Sequence, residues 1–307
     1  MSALRALALC GPTASGKSEL ASFVAEHVRA EIVNADSRQI YAGMRIGTGW
    51  PSDEQFARAP HHLYGMVDPC ERYSAGRFVI DARAAIETIA ARGALPILVG
   101  GTGLYIEALA GTMPLDRPVA DDRVRARVRA EAAVHPADAL RAWLASLAPQ
   151  SAARIPPGDR YRTLRALEAA LAERAQDQPP DRIRSAPPVQ LTIVVLDAAP
   201  DVLEGRITAR VRAMFEHGLV DEALAVRGKH EDAPALSGIG YAEALSYADG
   251  SATWVEALTQ TVARTRAYAK RQRTWFRRIA DALRLDAYDE RTPHALLEVA
   301  RGFARMA

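Results

Sequence analysis

An eight-residue stretch close to the N-terminus matches the phosphate-binding loop pattern G-x-x-x-x-G-K-[ST] at every position that the pattern specifies. It follows an apolar run, Leu4–Cys10, and precedes a segment with helical spacing, Lys17–Arg29. In this context the backbone N–H groups of the loop and the N-terminus of the helix converge on an anion. Lys17 would add a positive charge, and the Ser18 hydroxyl would hold Mg²⁺. The predicted diphosphate- or nucleotide-binding residues are Gly11, Pro12, Thr13, Ala14, Ser15, Gly16, Lys17 and Ser18.

Short apolar runs alternate with helical segments along much of the chain, which is typical of an α/β fold with a parallel sheet and helices on both faces. The segment 118–184 differs, since it is rich in Ala and Arg, helical in period and without a convincing strand. We therefore expect a P-loop α/β core formed by residues 1–117 and 185–307, with a helical C-terminal region, and a helical insertion domain at 118–184. Strands are predicted at Leu4–Cys10, Ala30–Asn34, Leu95–Val99 and Leu191–Leu196, which is the last clear strand, and helices at Lys17–Arg29 and Asp81–Ala91.

The composition favours a packed, cytoplasmic protein. Apolar residues make up 49% of the 307 residues, enough for a core. No apolar run reaches the roughly 18 residues that a membrane span needs, and the N-terminal apolar stretch lacks the length and cleavage site of a signal peptide. The two cysteines, Cys10 and Cys70, form no disulfide framework, and we expect Cys10 to be a buried, inert thiol. The sequence has no paired Cys/His spacing that suggests zinc.

Polar side chains follow two of the predicted strands. Asp36 comes just after the second strand, and Thr102 follows the third in a glycine-rich turn. In a parallel sheet the carboxyl ends of the strands form the ligand crevice. In that crevice Asp36 would accept a proton from a nucleophile or lie next to a bound Mg²⁺; the alternative is that it caps a helix. Thr102 would hydrogen-bond to a ligand; the alternative is that it belongs to an ordinary glycine turn. We expect the adjacent His61 and His62 to have structural or hydrogen-bonding roles, because neighbouring strand residues point to opposite faces and would not bind one metal ion together.

The net charge is only +2, but the basic residues are unevenly distributed. Arg206 and Arg210 lie four residues apart and so share one helical face, where they would clamp a diphosphate or form a solvated surface. The window Arg264–Arg278 holds seven basic residues and no acid, with three aromatic residues among them. In nucleic-acid complexes, basic side chains contact phosphates and aromatic rings stack on unpaired bases. The window therefore favours contact with nucleic acid. The alternative is a solvated helix whose aromatic residues face the core.

Taken together, these segments resemble the tRNA dimethylallyltransferases, also called tRNA isopentenyladenosine synthases. The matching segments come in the family's order and are GPTASGKS from Gly11, NADSRQIY from Asn34, GGTGLYI from Gly100, DRYRTLRALE from Asp159, the arginine, methionine and GL ending of Arg210–Leu219, GIGYAE from Gly238 and KRQRTWFR from Lys270. The resemblance implies transfer of a dimethylallyl group from its diphosphate to N6 of adenine 37 in tRNA, giving N6-(dimethylallyl)adenosine and diphosphate. It also implies an insertion domain that grips the anticodon stem-loop.

Roles for individual residues follow from the same resemblance. Asp36 would take the proton from N6, Thr102 would orient the donor or the acceptor, and Arg210 would stabilise the departing diphosphate together with Lys17 and Mg²⁺ on Ser18. We expect a monomer with tRNA and dimethylallyl diphosphate as partners, no membrane contact, and Mg²⁺ as cofactor. Contact with tRNA is implied for Asp36, Ser37, Arg38, Gln39, Thr102, Arg125, Tyr161, Arg162, Thr163, Leu164, Arg165, Ser237, Gly238, Ile239, Gly240, Tyr241, Ala242, Lys270, Arg271, Gln272, Arg273, Thr274, Trp275, Phe276 and Arg277.

One departure from the family's pattern lies downstream of the loop, where Trp50 replaces the usual lysine of Gly-Thr-x-Lys-Pro. Three other interpretations stay open: a P-loop kinase of a small metabolite, a prenyltransferase of free adenine nucleotides, and a non-catalytic RNA-binding protein. Donor preference separates the kinase from the family's activity. The helical insertion and the basic window argue against a small acceptor, which needs neither, and the intact P-loop, Asp36 and Arg210 argue against a non-catalytic protein.

Overall fold

In a computed structural model of the chain the described residues are 4–113, 122–175 and 187–305, and they fall into two compact units. The first unit comprises Met1–Met113 and Pro187–Ala307, and the second comprises Pro114–Ala186. The segment predicted as an insertion domain, 118–184, lies within the second unit. Both of its predicted ends lie outside the described residues.

A parallel sheet forms the centre of the first unit. Its strands are β1 (Arg5–Cys10), β2 (Ala30–Asn34), β3 (His61–His62), β4 (Leu95–Gly100), β5 (Gln190–Asp197) and β6 (Leu283–Asp286). They pair in parallel in the order β3-β2-β4-β1-β5-β6, so β1 lies between β4 and β5. Residues Ala6 to Cys10 of β1 are all buried, although neighbours along a strand point to opposite faces. Both faces of the sheet are therefore covered at its centre.

The sheet contains the four predicted strands and two more that the sequence pattern did not reveal. β3 has two residues, too few to show a periodicity, and β6 has four residues, all at least partly exposed. The expectation of a helical C-terminal region after Leu191–Leu196, the last clear strand of the sequence, is therefore wrong at β6. β6 lies at the edge of the sheet, where a strand needs less apolar surface than a central one.

The helices follow local capping signals. α3 begins at Ala75 rather than at the predicted Asp81, because the Ser74 hydroxyl accepts a hydrogen bond from the Arg77 N–H at 3.1 Å. None of the described helices is long and apolar enough to cross a membrane. The helices are α1 (Lys17–His27), α2 (Asp53–Arg58), α3 (Ala75–Ala91), α4 (Gly103–Leu109), α5 (Asp122–Val134), α6 (Ala137–Leu147), α7 (Pro149–Arg154), α8 (Arg160–Ala175), α9 (Pro200–Glu216), α10 (Leu219–Lys229), α11 (Tyr241–Ala248), α12 (Trp254–Phe276) and α13 (Thr292–Arg305).

Two apolar clusters hold the elements of the first unit together. In one, Leu7 and Leu9 of β1 pack with residues of α1 and α13. In the other, Ile207 and Val211 of α9 pack with residues of α10, α11 and α12. Each fully buried side chain of this kind stabilises the fold by about 1.5–3 kcal/mol. The clusters therefore fix α9 and α12, the helices that carry Arg210 and most of the basic window.

The second unit is helical throughout its described residues, as the sequence pattern predicted. Helices α5 to α8 surround a small core of their own, in which Val128, Leu140, Leu144 and Leu167 are buried. Because this core is made only of residues from the unit itself, the segment forms a compact body and not an extended loop.

Candidate active site

The phosphate-binding loop connects β1 to α1, as predicted. Gly16, at the N-terminus of α1, has a φ of 78°, a left-handed conformation that glycine adopts readily, and Ala14 has a φ of 64°. Left-handed residues turn successive backbone N–H groups toward one side, which creates a concavity for an anion. The Tyr288 hydroxyl donates a hydrogen bond to the Ala14 carbonyl at 2.5 Å, and the Ser15 hydroxyl donates to the Pro12 carbonyl at 2.8 Å. The loop is thus held in its curved shape by contacts within the protein.

Two cations and one carboxylate determine the charge beside the loop. The Lys17 ammonium donates to the Pro12 carbonyl at 2.6 Å, and burial lowers its pKa to about 8, with Arg210 lowering it further and Asp36 opposing the shift. Burial also lowers the pKa of Arg210, again against the charge of Asp36. Two desolvated cations facing one carboxylate favour the binding of an additional anion. The electrostatics therefore suit a phosphate or a diphosphate.

The affinity for inorganic diphosphate should depend on pH through Lys17. Bound diphosphate favours the protonated ammonium, which is present below the pKa of about 8 in the free protein. Above that pH binding requires proton uptake, so the affinity should fall by up to about tenfold per pH unit. Titration calorimetry between pH 6.5 and 9.5, at about half-unit steps, measures the effect. The Lys17→Gln variant is the control. Its affinity should still change with pH through the ionisation of diphosphate itself, but it should lack the further decrease that the deprotonation of Lys17 causes. Equal pH profiles of the affinity in the variant and the wild type would contradict the role of Lys17.

Asp36 lies just beyond the carboxyl end of β2. Its backbone N–H donates to Asn34 Oδ1 at 2.8 Å, and its Oδ1 accepts from the Arg38 N–H at 2.8 Å. The alternative that Asp36 caps a helix does not hold, since the described residues that follow form bends and turns instead of a helix. Its carboxylate is held by this turn at the mouth of the crevice.

Thr102 follows β4, the strand beside β2. Its hydroxyl oxygen accepts from the Ser37 N–H at 3.0 Å, and the hydroxyl donates to Ser37 Oγ at 3.3 Å. The two strand ends, which carry Asp36 and Thr102, are thereby joined through Ser37. The rule that polar residues after parallel strands gather at one edge thus describes this site.

Arg210 reaches the loop from α9. Its guanidinium makes long hydrogen bonds of 3.4 Å to Thr13 Oγ1 and to the carbonyl groups of Thr48 and Gly49. Gly49 has a φ of 63°, and a Cβ at this position would collide with the Arg210 guanidinium. Arg206, one turn earlier on α9, instead lies over the Tyr288 ring at 4.5 Å. Only the second of the two predicted arginines therefore lines the cavities described next.

Two adjoining cavities meet at this point. The P-loop cavity, of about 730 Å³, is lined by the loop from Thr13 to Ser18, and the second cavity, of about 420 Å³, is lined by residues of α12 that include Tyr268 and Arg271. They share Thr13, Asp36, Thr48, Arg210 and Met214 as lining residues. A ligand in one cavity would therefore lie next to a ligand in the other, with a carboxylate and a guanidinium between them.

Trp50 forms part of the wall of the P-loop cavity. Its ring lies edge-on to that of Tyr64 at 5.7 Å between centroids, and the Arg45 guanidinium lies over it at 5.5 Å. The position that holds lysine in the related pattern thus supplies an aromatic surface in this chain. Arg45 supplies a cation beside this surface.

Gln272 of α12 has a role that the sequence did not suggest. Its Oε1 accepts from the Thr13 N–H at 2.8 Å and its Nε2 donates to the Gly101 carbonyl at 3.0 Å, with only 4% of the residue exposed. The side chain connects α12 to the phosphate-binding loop and to the turn after β4. A signal was available in the sequence, because Ala269, Gln272 and Phe276 follow the spacing of one helical face and all are buried.

The residues for which tRNA contact was predicted differ widely in exposure. The exposed ones are Arg38, Tyr161, Arg162, Arg165, Ser237, Lys270, Arg271, Thr274 and Arg277. The half-buried ones are Asp36, Ser37, Thr102, Arg125, Leu164, Ile239, Ala242, Arg273 and Trp275. The buried ones are Gln39, Thr163, Gly238, Gly240, Tyr241, Gln272 and Phe276.

The buried members of this set serve the interior of the protein. The Tyr241 hydroxyl donates to Glu222 Oε1 at 2.5 Å, the Gln39 amide donates to the Gly49 carbonyl at 2.8 Å, and the Thr163 hydroxyl donates to the Asp159 carbonyl at 2.9 Å. Their polar atoms are used within the fold, so their burial does not support a contact between these side chains and tRNA. Among these buried residues, Gly238, Gly240 and Tyr241 also line the second cavity, and Gln39 lines the P-loop cavity.

The expectations for the histidine pair and for Cys10 are confirmed. His62 Nε2 lies 2.7 Å from Glu31 Oε2, whereas His61 Nδ1 lies 2.8 Å from the Ala59 carbonyl, so the two rings have separate partners. Cys10 is buried in β1, and this burial raises the pKa of its thiol to about 12. Neither the pair nor this thiol contributes to the cavities.

Known proteins resemble the chain over most of its length. Residues 39–279 match the family model described as IPP transferase, and residues 4–64 match the one described as isopentenyl transferase. The chain is 43% identical over 293 residues to a tRNA dimethylallyltransferase of Halorhodospira halophila, covering 92% of this chain and 93% of the relative. A crystal structure of a tRNA isopentenylpyrophosphate transferase from Bacillus halodurans is similar, with a TM-score of 0.71 and 34% identity over 99% of this chain and 97% of the other. A eukaryotic dimethylallyltransferase shares the fold, with a TM-score of 0.79 and 24% identity over 97% and 79% of the two chains.

Proposed function

The chain belongs to the IPP transferase family, and from this premise we propose that it transfers a dimethylallyl group from dimethylallyl diphosphate to N6 of adenine 37 in tRNA. The observation that carries the proposal is the pair of cavities that share Asp36 and Arg210. A donor held through its diphosphate in the P-loop cavity would present its allylic carbon at the shared wall. An adenine that enters the second cavity, past Tyr268 and Arg271, would meet it there.

The acceptor nitrogen N6 is a weak nucleophile, because its lone pair is delocalised into the adenine ring. The base first leaves its stack, which costs a few kcal/mol and less in a loop than in a duplex. The N6 lone pair then forms a bond to the allylic carbon, the carbon–oxygen bond breaks, and its electron pair leaves with the diphosphate. The proton of N6 passes to the Asp36 carboxylate, which the Arg38 N–H holds in place at 2.8 Å.

The leaving diphosphate gains negative charge as the carbon–oxygen bond breaks. The loop N–H groups, Lys17 and Arg210 are positioned to stabilise that charge in a site partly removed from water. Ser18 lines the same cavity, and its hydroxyl oxygen is a ligand of the kind that Mg²⁺ accepts, so the loop fits the ion that its pattern implies. When bound, Mg²⁺ would neutralise part of the charge on the diphosphate.

The tRNA would be bound by exposed basic and aromatic side chains in each unit. In the first unit, Lys270 and Arg271 of α12 are exposed. In the second unit, Tyr161, Arg162 and Arg165 are exposed at the start of α8, with Tyr161 74% exposed. A tyrosine flanked by arginines is suited to stack on an unpaired base while the cations contact phosphates. Both sets are proposed contacts for the anticodon stem-loop.

Replacing Lys270 and Arg271 by glutamine should weaken the binding of an anticodon stem-loop and reduce its dependence on salt. Each lost phosphate contact lowers the slope of log affinity against log salt by about 0.7 to 0.9. Fluorescence anisotropy at several salt concentrations measures that slope. Arg266→Gln is the matched control, because Arg266 lies on the same helix but already pairs with Glu204 at 2.8 Å. An unchanged slope in the double variant would exclude this part of α12 from the binding surface.

Product analysis tests the function directly. The protein would be incubated with an anticodon stem-loop RNA, Mg²⁺ and labelled dimethylallyl diphosphate, and the RNA would be digested to nucleosides. We expect label in N6-(dimethylallyl)adenosine, none when ATP replaces the donor, and far less when adenosine monophosphate replaces the RNA. Label on the free nucleotide would favour a small acceptor, and phosphate transfer from ATP would favour a kinase. Folded protein that gives no prenylated nucleoside would contradict the proposal.

A further inference from the structure

Three metal-ligating side chains meet on the first unit, outside both cavities. The Sγ of exposed Cys70 lies 3.3 Å from Nδ1 of His230, and Nε2 of the same ring lies 3.5 Å from a carboxylate oxygen of Asp68. One ligand atom from each residue lies within 4.8 Å of those of the other two. Cys70 and His230 are 160 positions apart in the chain, so no spacing motif announces this cluster.

The spacing of the three side chains is close to that around a tetrahedral ion, with one ligand atom from each within 4.8 Å of the others. Zinc binds thiolate sulfur at about 2.3 Å and imidazole nitrogen or carboxylate oxygen at about 2.0–2.2 Å, which places neighbouring ligand atoms about 3.4–3.6 Å apart. The closest approaches in the cluster, 3.3 and 3.5 Å, fall near that range. These two distances involve different nitrogens of His230, whereas one ion would bind a single ring nitrogen, so the imidazole would have to turn about its side-chain bonds to bind an ion together with Cys70 and Asp68.

The backbone already holds the two segments side by side. The Ala235 N–H donates to the Pro69 carbonyl at 3.4 Å, which joins the segment after α10 to the Asp68–Cys70 turn. The turn itself is closed by the Cys70 N–H, which donates to Asp68 Oδ1 at 2.8 Å. Next to these segments, Val67 and Ala233 are buried in one apolar cluster. The packing of the fold therefore brings the three ligands together.

We propose that Asp68, Cys70 and His230 form a binding site for Zn²⁺ or a divalent ion of similar softness, separate from the P-loop. A thiolate, an imidazole and a carboxylate together favour such an ion over Mg²⁺ or Ca²⁺, which prefer oxygen ligands. Asp68 is 46% exposed in its side chain and Cys70 is exposed, so water reaches the fourth position. The ion links the Asp68–Cys70 turn to the C-terminal end of α10 and stabilises the first unit.

Cobalt provides a direct probe, because Co²⁺ bound to a thiolate absorbs in the near ultraviolet and tetrahedral Co²⁺ absorbs in the visible. The full chain, without an affinity tag and with its thiols reduced, would be titrated with Co²⁺ and then with Zn²⁺. We expect one ion per chain, a thiolate band that Zn²⁺ removes, and an upward shift of the thermal midpoint with Zn²⁺. Cys10 does not contribute to the band, since it is buried in β1.

Variants assign the signal to these residues. Cys70→Ser should remove the thiolate band, and both Cys70→Ser and His230→Ala should weaken Zn²⁺ binding by about tenfold or more, the minimum expected when a ligand is lost. His135→Ala is the control, because His135 lies 3.2 Å from a Glu131 carboxylate oxygen but belongs to no group of three metal-ligating side chains among the described residues. Circular dichroism verifies that each variant is folded. Wild-type protein that binds no stoichiometric ion, or a band that persists in Cys70→Ser, would overturn the proposal.

Discussion

Replacing Asp36 by asparagine is expected to lower the rate of prenyl transfer by about two to four orders of magnitude, the contribution typical of a general base. Asparagine cannot take the proton of N6, but its side-chain oxygen can still accept the hydrogen bond that the Arg38 N–H makes to Asp36 at 2.8 Å. The turn at the end of β2 is therefore expected to survive. Single-turnover experiments with saturating RNA and donor isolate the chemical step from binding.

Two further measurements separate this loss from a loss of binding. Affinity for the stem-loop RNA should stay close to that of the wild type, because the substitution leaves the exposed cations unchanged. Diphosphate should still bind at pH 7. The pKa of Lys17 should fall below its value of about 8, because the negative charge of Asp36, which raises this pKa, is removed. Asp249→Asn is the control, since Asp249 is an exposed carboxylate paired with Arg227 at 2.8 Å. Wild-type turnover in the Asp36 variant would remove Asp36 from the mechanism.

The features that sequence reasoning located well are those that depend on local order. The P-loop pattern follows a strand and opens a helix within one short segment, and the buried strands appear as apolar runs because both faces of the sheet are covered. Asp36 and Thr102 could be placed together because parallel strands end at one edge. No long-range contact has to be known for any of these inferences.

The features that it missed depend on tertiary contacts. The resemblance implies that Gln272 contacts tRNA, and the charge of the window Arg264–Arg278 conceals the buried face of α12 on which Gln272 hydrogen-bonds to Thr13 and Gly101. The approach of Cys70 and His230 is equally invisible in the sequence, since it requires the segment after α10 to pack against the Asp68–Cys70 turn. Spacing places Ala269, Gln272 and Phe276 on one face of α12, but it does not show that this face packs against the phosphate-binding loop.

Replacing Arg210 by alanine is expected to slow prenyl transfer by about 10²- to 10³-fold, the loss typical when one donor to a developing negative charge is removed. The guanidinium touches Thr13, Thr48 and Gly49 only through bonds of 3.4 Å, so its firm partner would be the diphosphate. Arg210→Lys should recover part of the rate, because lysine keeps the charge but lacks the planar fork. Rapid-quench measurements of the chemical step give the comparison.

The Arg210 and Asp36 variants should shift the pKa of Lys17 in opposite directions. Such opposite shifts are expected only if the three side chains interact electrostatically in one site. Arg210 lowers the pKa of Lys17 and Asp36 raises it, so Arg210→Ala should move the decrease in diphosphate affinity above pH 8 and Asp36→Asn should move it below. Arg212→Ala on the same helix is the control, because Arg212 is exposed and does not line the P-loop cavity. If both variants left the pH profile of the wild type unchanged, Lys17, Asp36 and Arg210 would not act on one bound anion, and the diphosphate would have to be placed elsewhere.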